Sequence, residues 1–398
     1  MNTGKDFLSL LCRSTWLEID LDAISHNMRE LRKLVGPDVR IIPAVKANGY
    51  GHGMVRVCRT LVEAGADILG CGSVEDGAEL REEGIRVPIL VFSSNTLSEV
   101  SDSYVRFDLI PTILEVDQAE AISKAAKRPV NVFVKIDTGR GRLGVLAEEA
   151  LAFFQALARV PNIRIMGAYS HMADPNWEDR KPEFAQWQIK RFRDLFDRAK
   201  ESGLNIPIWQ IANSAAAISM PNAYFSGCCP GRAIYGYSQL ETRPAHPELR
   251  RALRAWKSRI IQKKRVTAGK FGARDEAIRL ESPCVIGVIA TGLYDGLFSA
   301  HAKGGEVLVR GKRARVWSSV SFEHTVIDLS NCPEAQPGDE VVLVGRQGQE
   351  EIKIEDLMQL WKASLTQVLG HLNVGMTRIY FQKETPIGLS TKFGYRDL

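Results

Sequence analysis

The sequence lacks any apolar run near the roughly 18 residues that a membrane-spanning helix needs. Its apolar stretch near the start, Phe7–Cys12, is too short for the core of a signal peptide. The seven cysteines are odd in number and show no C-x-x-C spacing, which argues against a disulfide framework and against a zinc site. We therefore predict a cytoplasmic protein in a reducing compartment, with no metal and no membrane contact.

An excess of one charge sign is also missing. The sequence has 52 basic and 47 acidic residues, which leaves a formal net charge of only +5. Proteins that bind nucleic acid more often concentrate basic residues on one face or tail, so no nucleic-acid partner is predicted. No internal repeat and no low-complexity segment occurs. The mild basic excess suits an anionic small molecule, and 398 residues suit two domains.

Between about residue 14 and residue 250, short β-branched apolar runs alternate with longer amphipathic stretches such as Leu21–Val35, Met54–Gly65 and Glu148–Arg159. This alternation predicts parallel strands with crossover helices, which is the α/β class. Eight such units over about 230 residues fit an N-terminal (β/α)8 barrel better than an open sheet. The predicted strands are Val39–Val45, Asp67–Cys71, Val87–Val91, Arg106–Ile110, Val130–Ile136, Ile163–Tyr169, Ile208–Ala212 and Tyr224–Cys228.

The pattern changes after about residue 255, where short strands are separated by turns rich in Gly, Pro and Asp. A helix is predicted after them over Ile354–Leu369. We assign 14–250 to the barrel and 255–398 to a C-terminal all-β domain, which residues 1–13 are candidates to join. The predicted strands are Val285–Ile289, Glu306–Arg310, Arg315–Val320, His324–Leu329 and Glu340–Val344.

One lysine stands where chemistry is expected. Lys46 ends an apolar strand and is followed at once by the glycine-rich loop Ala47–Gly53. In a barrel this places the side chain at the carboxyl-terminal rim, where barrel enzymes keep their active sites. Burial of the strand would lower the pKa of the amine, and a neutral amine is what a Schiff base requires. The competing interpretation is a surface lysine at a strand end, the usual fate of a lysine.

The segment Pro43–Gly53 resembles the motif around the cofactor lysine of the alanine racemase family, and further motifs follow in that family's order. The resemblance implies an isomerase, a racemase that interconverts L- and D-amino acids with pyridoxal 5'-phosphate (PLP) as cofactor and an amino acid as substrate. The other matching segments are Trp16–Ile24, Lys135–Gly144, Tyr169–His171, Asn213–Ala215, Gly292–Gly296, Val320–Ser321, Pro337–Glu340 and Arg378–Tyr380.

By this resemblance Lys46 holds PLP as a Schiff base and exchanges the substrate's α-proton on one face. Tyr50 is similar to a hydroxyl donor to the cofactor phosphate. Ser214, next to Asn213 in the matching segment, would complete the phosphate site together with backbone amides at Gly231 and the side chain of Arg232. Without the resemblance, Ser214 would be interpreted as a helix cap.

Three more residues take roles from the resemblance. Arg142 would lie near the phenolic oxygen of the cofactor and the substrate carboxylate, where a fixed guanidinium fork is suited to both. His171 would pack against the pyridine ring, although a lone histidine is more often an ordinary core residue. Lys135 matches a lysine that some family members carbamylate to hold this arginine.

The sequence departs from the family at the second catalytic base. The family's G-Y-A-D-G segment carries a tyrosine that acts from the partner subunit, whereas here it reads Gly292–Gly296, with Leu293 at that position and Tyr294 one place later. Consecutive strand residues point to opposite faces, so Tyr294 would need a local bulge to replace the missing base. Tyr294 is nevertheless our candidate second catalytic residue.

Three further positions differ. Cys229 stands where the family has an arginine that faces the pyridine nitrogen, so this cofactor contact would be tuned differently. Phe322 and Glu323 replace the usual residues at the substrate entrance, which suggests a larger substrate than alanine. Gln210 stands where the family usually has a histidine.

Two alternatives therefore stay open: another PLP reaction on this scaffold, such as decarboxylation, aldol cleavage or elimination, and a PLP-binding protein without turnover. The resemblance also implies a homodimer with shared active sites, in which Tyr294, Phe322 and Glu323 act across the interface.

Overall fold

The computed structural model describes residues 13–92, 97–172, 182–238, 247–271 and 278–398, which divide into two units. The barrel unit consists of Ala23–Gly49 and Met54–Arg251. The sheet unit consists of Ala252–Leu398, the described residues 13–22, and the short loop Tyr50–Gly53. The amino-terminal boundary thus differs from the predicted residue 14, and residues 1–12 lie outside the described ranges.

Eight parallel strands close the barrel unit into a ring. Gly227–Cys228 pairs with both Ile208–Ala212 and Arg40–Ile41, so the last strand meets the first. Isolated bridges at Ala44–Gly70 and Leu90–Ile110 join the remaining neighbours. This confirms the predicted (β/α)8 barrel. Its strands are Arg40–Ile41, Leu69–Cys71, Ile89–Val91, Thr112–Ile113, Val130–Asp137, Ile163–Tyr169, Ile208–Ala212 and Gly227–Cys228.

Amphipathic helices follow the strands. Met54–Glu63, for example, buries Met54, Val57, Cys58 and Leu61 on one face, as the spacing of its apolar residues requires. The interior of the barrel is filled by one apolar side chain from most strands, among them Ile42, Ile68, Leu90, Phe133 and Ile208. The helices are Leu21–Val35, Met54–Glu63, Val74–Glu82, Leu97–Arg106, Val116–Ala125, Ala150–Leu157, Pro182–Glu201 and Ser214–Ser219.

The sheet unit is built around one long strand. Leu253–Val266 pairs antiparallel with Thr15–Asp20, with Cys284–Ile289 and with Glu340–Gln347. Thr15–Asp20 also pairs with Thr377–Gln382, which explains why the start of the chain belongs to this unit. The other strands of the eleven-stranded sheet are Glu306–Val309, Lys312–Val320, Thr325–Asp328, Glu350–Ile352, Thr385–Thr391 and Gly394–Asp397.

Most observed bounds differ from the predicted ones by a few residues, and two predicted elements are wrong. Arg106 ends the helix Leu97–Arg106 and the strand is Thr112–Ile113, so the predicted strand Arg106–Ile110 lies before the observed one. The predicted helix Ile354–Leu369 is two helices, Ile354–Trp361 and Leu365–His371. Lys362 takes a left-handed φ of 50° between them, and Ser364 caps the second helix.

In the described ranges, no helix combines the length and the apolar character needed to cross a bilayer.

Candidate active site

The turn after Lys46 is left-handed. Ala47 and Asn48 have φ values of 53° and 52°, a region that costs a residue with a Cβ atom about 1–2 kcal/mol. Two hydrogen bonds hold it: the Gly49 N–H donates to the Val45 carbonyl at 2.8 Å, and Asn48 Oδ1 accepts the Met54 N–H at 2.8 Å. The strained backbone places Lys46 at the carboxyl-terminal rim of the barrel, as predicted.

The surroundings of Lys46 lower the pKa of its amine. Much of the side chain is open to solvent. The amine itself has lost hydration, which lowers its pKa, and the cations Arg142 and Arg140 lower it further. An accessible lysine with a depressed pKa is suited to condense with an aldehyde.

A second lysine lies deeper in the barrel. Lys135, on strand Val130–Asp137, is only 6% exposed, and burial lowers its pKa to about 7, with a further contribution from Arg142. Its Nζ lies 4.2 Å from the centroid of the Tyr169 ring. The Tyr169 hydroxyl is hydrogen-bonded to Thr112 Oγ1 at 3.0 Å, which fixes the ring.

His171 follows the strand Ile163–Tyr169 and lies among these cations. Burial lowers its pKa to about 3, and Lys135, Arg140, Lys46 and Arg142 add to the effect. The imidazole is therefore neutral at physiological pH, which suits packing against a ring and excludes a role as a cation.

Backbone amides converge on Ser214. Its Oγ accepts the N–H of Gly231 at 2.9 Å and the N–H of Ala233 at 3.2 Å. The helix cap is Asn213, whose Oδ1 accepts the Ala216 N–H at 3.1 Å, so the interpretation of Ser214 as the cap is wrong. Arg232 begins the 3-10 turn beside these amides. The Ser214 hydroxyl accepts both N–H groups and keeps its own hydrogen to donate, so this cradle fits a phosphate oxygen.

Cys229 lies on the barrel wall between Lys46 and Lys135. Its N–H donates to the Ala212 carbonyl at 2.8 Å, which fixes its position. Burial raises the pKa of its thiol to about 11, although the two lysines lower it. A neutral thiol stands here, and it brings no positive charge to its surroundings.

The remaining predicted residues belong to the sheet unit. Leu293 and Tyr294 lie on a 3-10 turn, Leu293–Asp295, and the alternation of faces expected for a strand does not apply. Both side chains are exposed, at 40% and 55%, and Phe322 is exposed at 77%. The N–H of Tyr294 donates to the Phe322 carbonyl at 2.8 Å, so the two loops are adjacent.

Arg13 ties these loops together within the sheet unit. Its guanidinium pairs with the buried Asp295 at 2.9 Å and lies 3.7 Å from Glu323. It also lies 5.4 Å from the centroid of the Tyr294 ring. Tyr294, Phe322 and Glu323 therefore form one cluster on this unit, whose organising arginine the sequence analysis missed.

Tyr50 is in the sheet unit with Gly51–Gly53. The buried Arg378 donates to the Gly51 carbonyl at 2.8 Å and also to the carbonyls of Asn373, Val374 and Met376. The Tyr380 hydroxyl packs against the Cα atom of Gly53, where a Cβ atom would not fit. The matching segment Arg378–Tyr380 thus holds the loop that carries Tyr50.

The site in the barrel unit combines an accessible lysine of depressed pKa with a cradle for an anion and three neighbouring basic side chains, Lys135, Arg140 and Arg142. These groups fit a cofactor that carries both an aldehyde and a phosphate, and PLP is such a cofactor. The fold and the site define a PLP-dependent barrel enzyme.

Comparison with known proteins gives the family. The family model described as alanine racemase, N-terminal domain, matches residues 19–239, and the one described as alanine racemase, C-terminal domain, matches residues 253–380. The alanine racemase of Halothermothrix orenii is 34% identical over 352 residues, covering 88% of this chain and 92% of that protein. That of Syntrophobacter fumaroxidans is 36% identical over 349 residues, covering 87% and 92%.

Solved structures agree. The alanine racemase of Clostridium difficile 630 matches with a TM-score of 0.89 at 25% identity, covering 96% of this chain and 99% of that chain. The Bacillus anthracis alanine racemase with bound L-Ala-P matches with a TM-score of 0.88 at 27% identity, with the same coverage. This chain belongs to the alanine racemase family. It is a PLP-dependent isomerase, a racemase that acts on an amino acid.

Proposed function

We propose that this racemase inverts the α-carbon of an amino acid with Lys46 as the proton-transfer group on one face. The observation that carries the proposal is the accessible Lys46 side chain, whose amine has a pKa lowered by lost hydration and by Arg142 and Arg140. When bound, PLP withdraws electrons and so acidifies the α-proton of the substrate. Lys46 then needs a pKa close to the working pH to take and return that proton.

The binding roles follow from the same site. Ser214 and the amides of Gly231 and Ala233 would hold the phosphate, with Arg232 as a further ligand. Arg142 would bind the substrate carboxylate, and the neutral His171 would pack against the pyridine ring. Cys229 would face the ring nitrogen without offering a charge.

Lys135 is proposed to react with carbon dioxide and hold Arg142 as a carbamate. Its support is a pKa of about 7, caused first by burial, which leaves a large neutral fraction near pH 7. The carbamate would exchange a buried cation for an anion among the cations Lys46, Arg140 and Arg142, so its formation would relieve their repulsion.

For the opposite face we propose Tyr294 of a second copy of the chain, in a homodimer with shared sites. The support is the exposed cluster Leu293, Tyr294 and Phe322, since apolar side chains so exposed on one surface are typical of an interface.

Phe322 and Glu323 at the entrance favour a polar or bulkier amino acid over the alanine of the named relatives. The six described cysteines are free thiols, which supports the cytoplasm as its compartment.

The test compares wild type, Leu293→Tyr and Tyr294→Phe over one panel of amino acids by rate of optical inversion. Positioned acid or base groups typically contribute about 10²–10⁴-fold, so Tyr294→Phe should slow inversion by at least tenfold. Leu293→Tyr should raise the inversion of alanine above wild type. Rapid wild-type inversion of alanine with a silent Tyr294→Phe would remove Tyr294 from the mechanism. Release of carbon dioxide or an aldehyde without inversion would replace racemisation by another PLP reaction.

A further inference from the structure

The loop that carries Arg142 is wound around one carboxylate. Asp137, the last residue of strand Val130–Asp137, is only 8% exposed. Its Oδ1 accepts the N–H groups of Gly139 and Arg140, both at 2.8 Å. Its Oδ2 accepts those of Gly141 at 2.9 Å and Arg142 at 3.2 Å. Four consecutive amides therefore point at a single side chain.

Glycines make this winding possible. Gly139 and Gly141 have φ values of 124° and 69°, so positive φ values alternate along the loop and its successive N–H groups all turn inward. Gly144 has φ 136°, and a Cβ atom there would come within 2.5 Å of the Asp137 nitrogen. Directly after it, Val145–Leu146 pairs with Ile136–Asp137. The loop thus starts at Asp137 and returns to its backbone.

The start of the loop is fixed from the outside as well. Thr138 Oγ1 bonds to Ser170 Oγ at 2.8 Å and accepts Gln188 Nε2 at 3.1 Å. The Thr138 carbonyl accepts Arg191 Nη1 at 3.1 Å. With Thr138 held to two neighbouring elements, the conformation of residues 139–142 depends on the Asp137 carboxylate, since it accepts every one of their N–H groups.

The side chain of Arg142 is exposed, so the position of its guanidinium depends on the position of its backbone. We propose that Asp137 is a positioning residue, whose carboxylate acts as the template that sets the Arg142 guanidinium at the substrate. The inference rests on the proposed function, in which Arg142 binds the substrate carboxylate. An asparagine in its place would present an NH2 group to two of the four N–H donors and could accept neither.

The experiment is a double-mutant cycle in the PLP-loaded protein, with Asp137→Asn, Arg142→Ala and the double variant. We expect Asp137→Asn to raise KM at least tenfold with a smaller change in kcat. In the Arg142→Ala background the same change should alter kcat/KM less than threefold. The inhibition constant of acetate, a bare carboxylate, should rise with KM, while the dissociation constant of PLP stays within threefold.

Asp67→Asn is the matched control. Asp67 is also a partly buried barrel carboxylate that accepts a backbone N–H, from Ile41, but its other partners are Arg32, near the end of the helix Leu21–Val35, and Arg40, at the start of a strand. The control variant Asp67→Asn should leave KM unchanged. If Asp137→Asn does not fold, Asp137→Glu takes its place in the double-mutant cycle. This variant keeps the negative charge and shifts it by one methylene.

The outcomes separate the two claims. Equal losses from Asp137→Asn with and without Arg142 would overturn the inference alone, because Asp137 would then act independently of the arginine. An unchanged inhibition constant of acetate in Asp137→Asn would also overturn the inference alone. A silent Arg142→Ala would overturn the inference together with the proposed role of Arg142.

Discussion

Replacing the buried lysine by a neutral side chain of similar length should stabilise the protein at low pH. Lys135 has a pKa of about 7 against an ordinary value of 10.5, chiefly because it is buried. Each pKa unit corresponds to about 1.4 kcal/mol, so at pH 6, where the lysine is charged in both states, its burial costs up to about 5 kcal/mol.

The pH dependence has a definite sign. Between pH 7 and pH 10.5 the unfolded chain keeps the Lys135 proton and the folded chain has lost it, so wild-type stability rises with pH across this window. Lys135→Met has no such dependence at this site. Its advantage should be about 3–5 kcal/mol at pH 6 and should shrink by about 2 kcal/mol by pH 8.5.

The assay is urea-induced unfolding of the PLP-free proteins at both pH values, in buffer purged of carbon dioxide so that no carbamate forms. Lys127→Met, at an exposed position, is the control and should follow wild type. Adding bicarbonate should stabilise wild type and leave Lys135→Met unaffected. A variant less stable than wild type at pH 6, or a difference independent of pH, would refute the depressed pKa.

Two further substitutions test the phosphate site by PLP titration. Ser214→Ala removes the oxygen that accepts the Gly231 and Ala233 amides and should weaken PLP binding by about 1–2 kcal/mol, or about 5–30-fold. An unchanged affinity would show that the phosphate does not bind at Ser214. Arg232→Ala should weaken PLP binding by about 1.5–3 kcal/mol, the usual value of a hydrogen bond to a charged group, and no effect would return Arg232 to a surface role.

The barrel was largely predictable from the sequence, because each strand is a short apolar run between turn residues. Ile163–Tyr169, Ile208–Ala212 and the helix Leu21–Val35 have the predicted bounds. The strand Leu253–Val266 was not predicted, because its second half contains the polar run Gln262–Arg265. This run shows no alternation of apolar and polar residues. Its pairing partners lie far away along the chain, so only the folded sheet reveals it.

The site was predictable where local sequence sets it and not where distant residues do. Lys46 stands out because a lysine ends an apolar strand before a glycine-rich loop. The pKa of Lys135 depends on burial and on Arg142, which no spacing encodes. The orientation of Tyr294 could not be predicted by strand alternation, because Gly292 and Gly296 bound a 3-10 turn there.

Borohydride reduction of the loaded protein followed by peptide mapping shows which lysine binds PLP. Lys135 is the internal competitor, because its pKa is also depressed, but it is buried whereas the Lys46 side chain is accessible. The structure predicts one labelled peptide, with the pyridoxyl group on Lys46, and none from Lys46→Ala. A label on Lys135 or on any other lysine of the wild-type protein would show that Lys46 does not bind PLP.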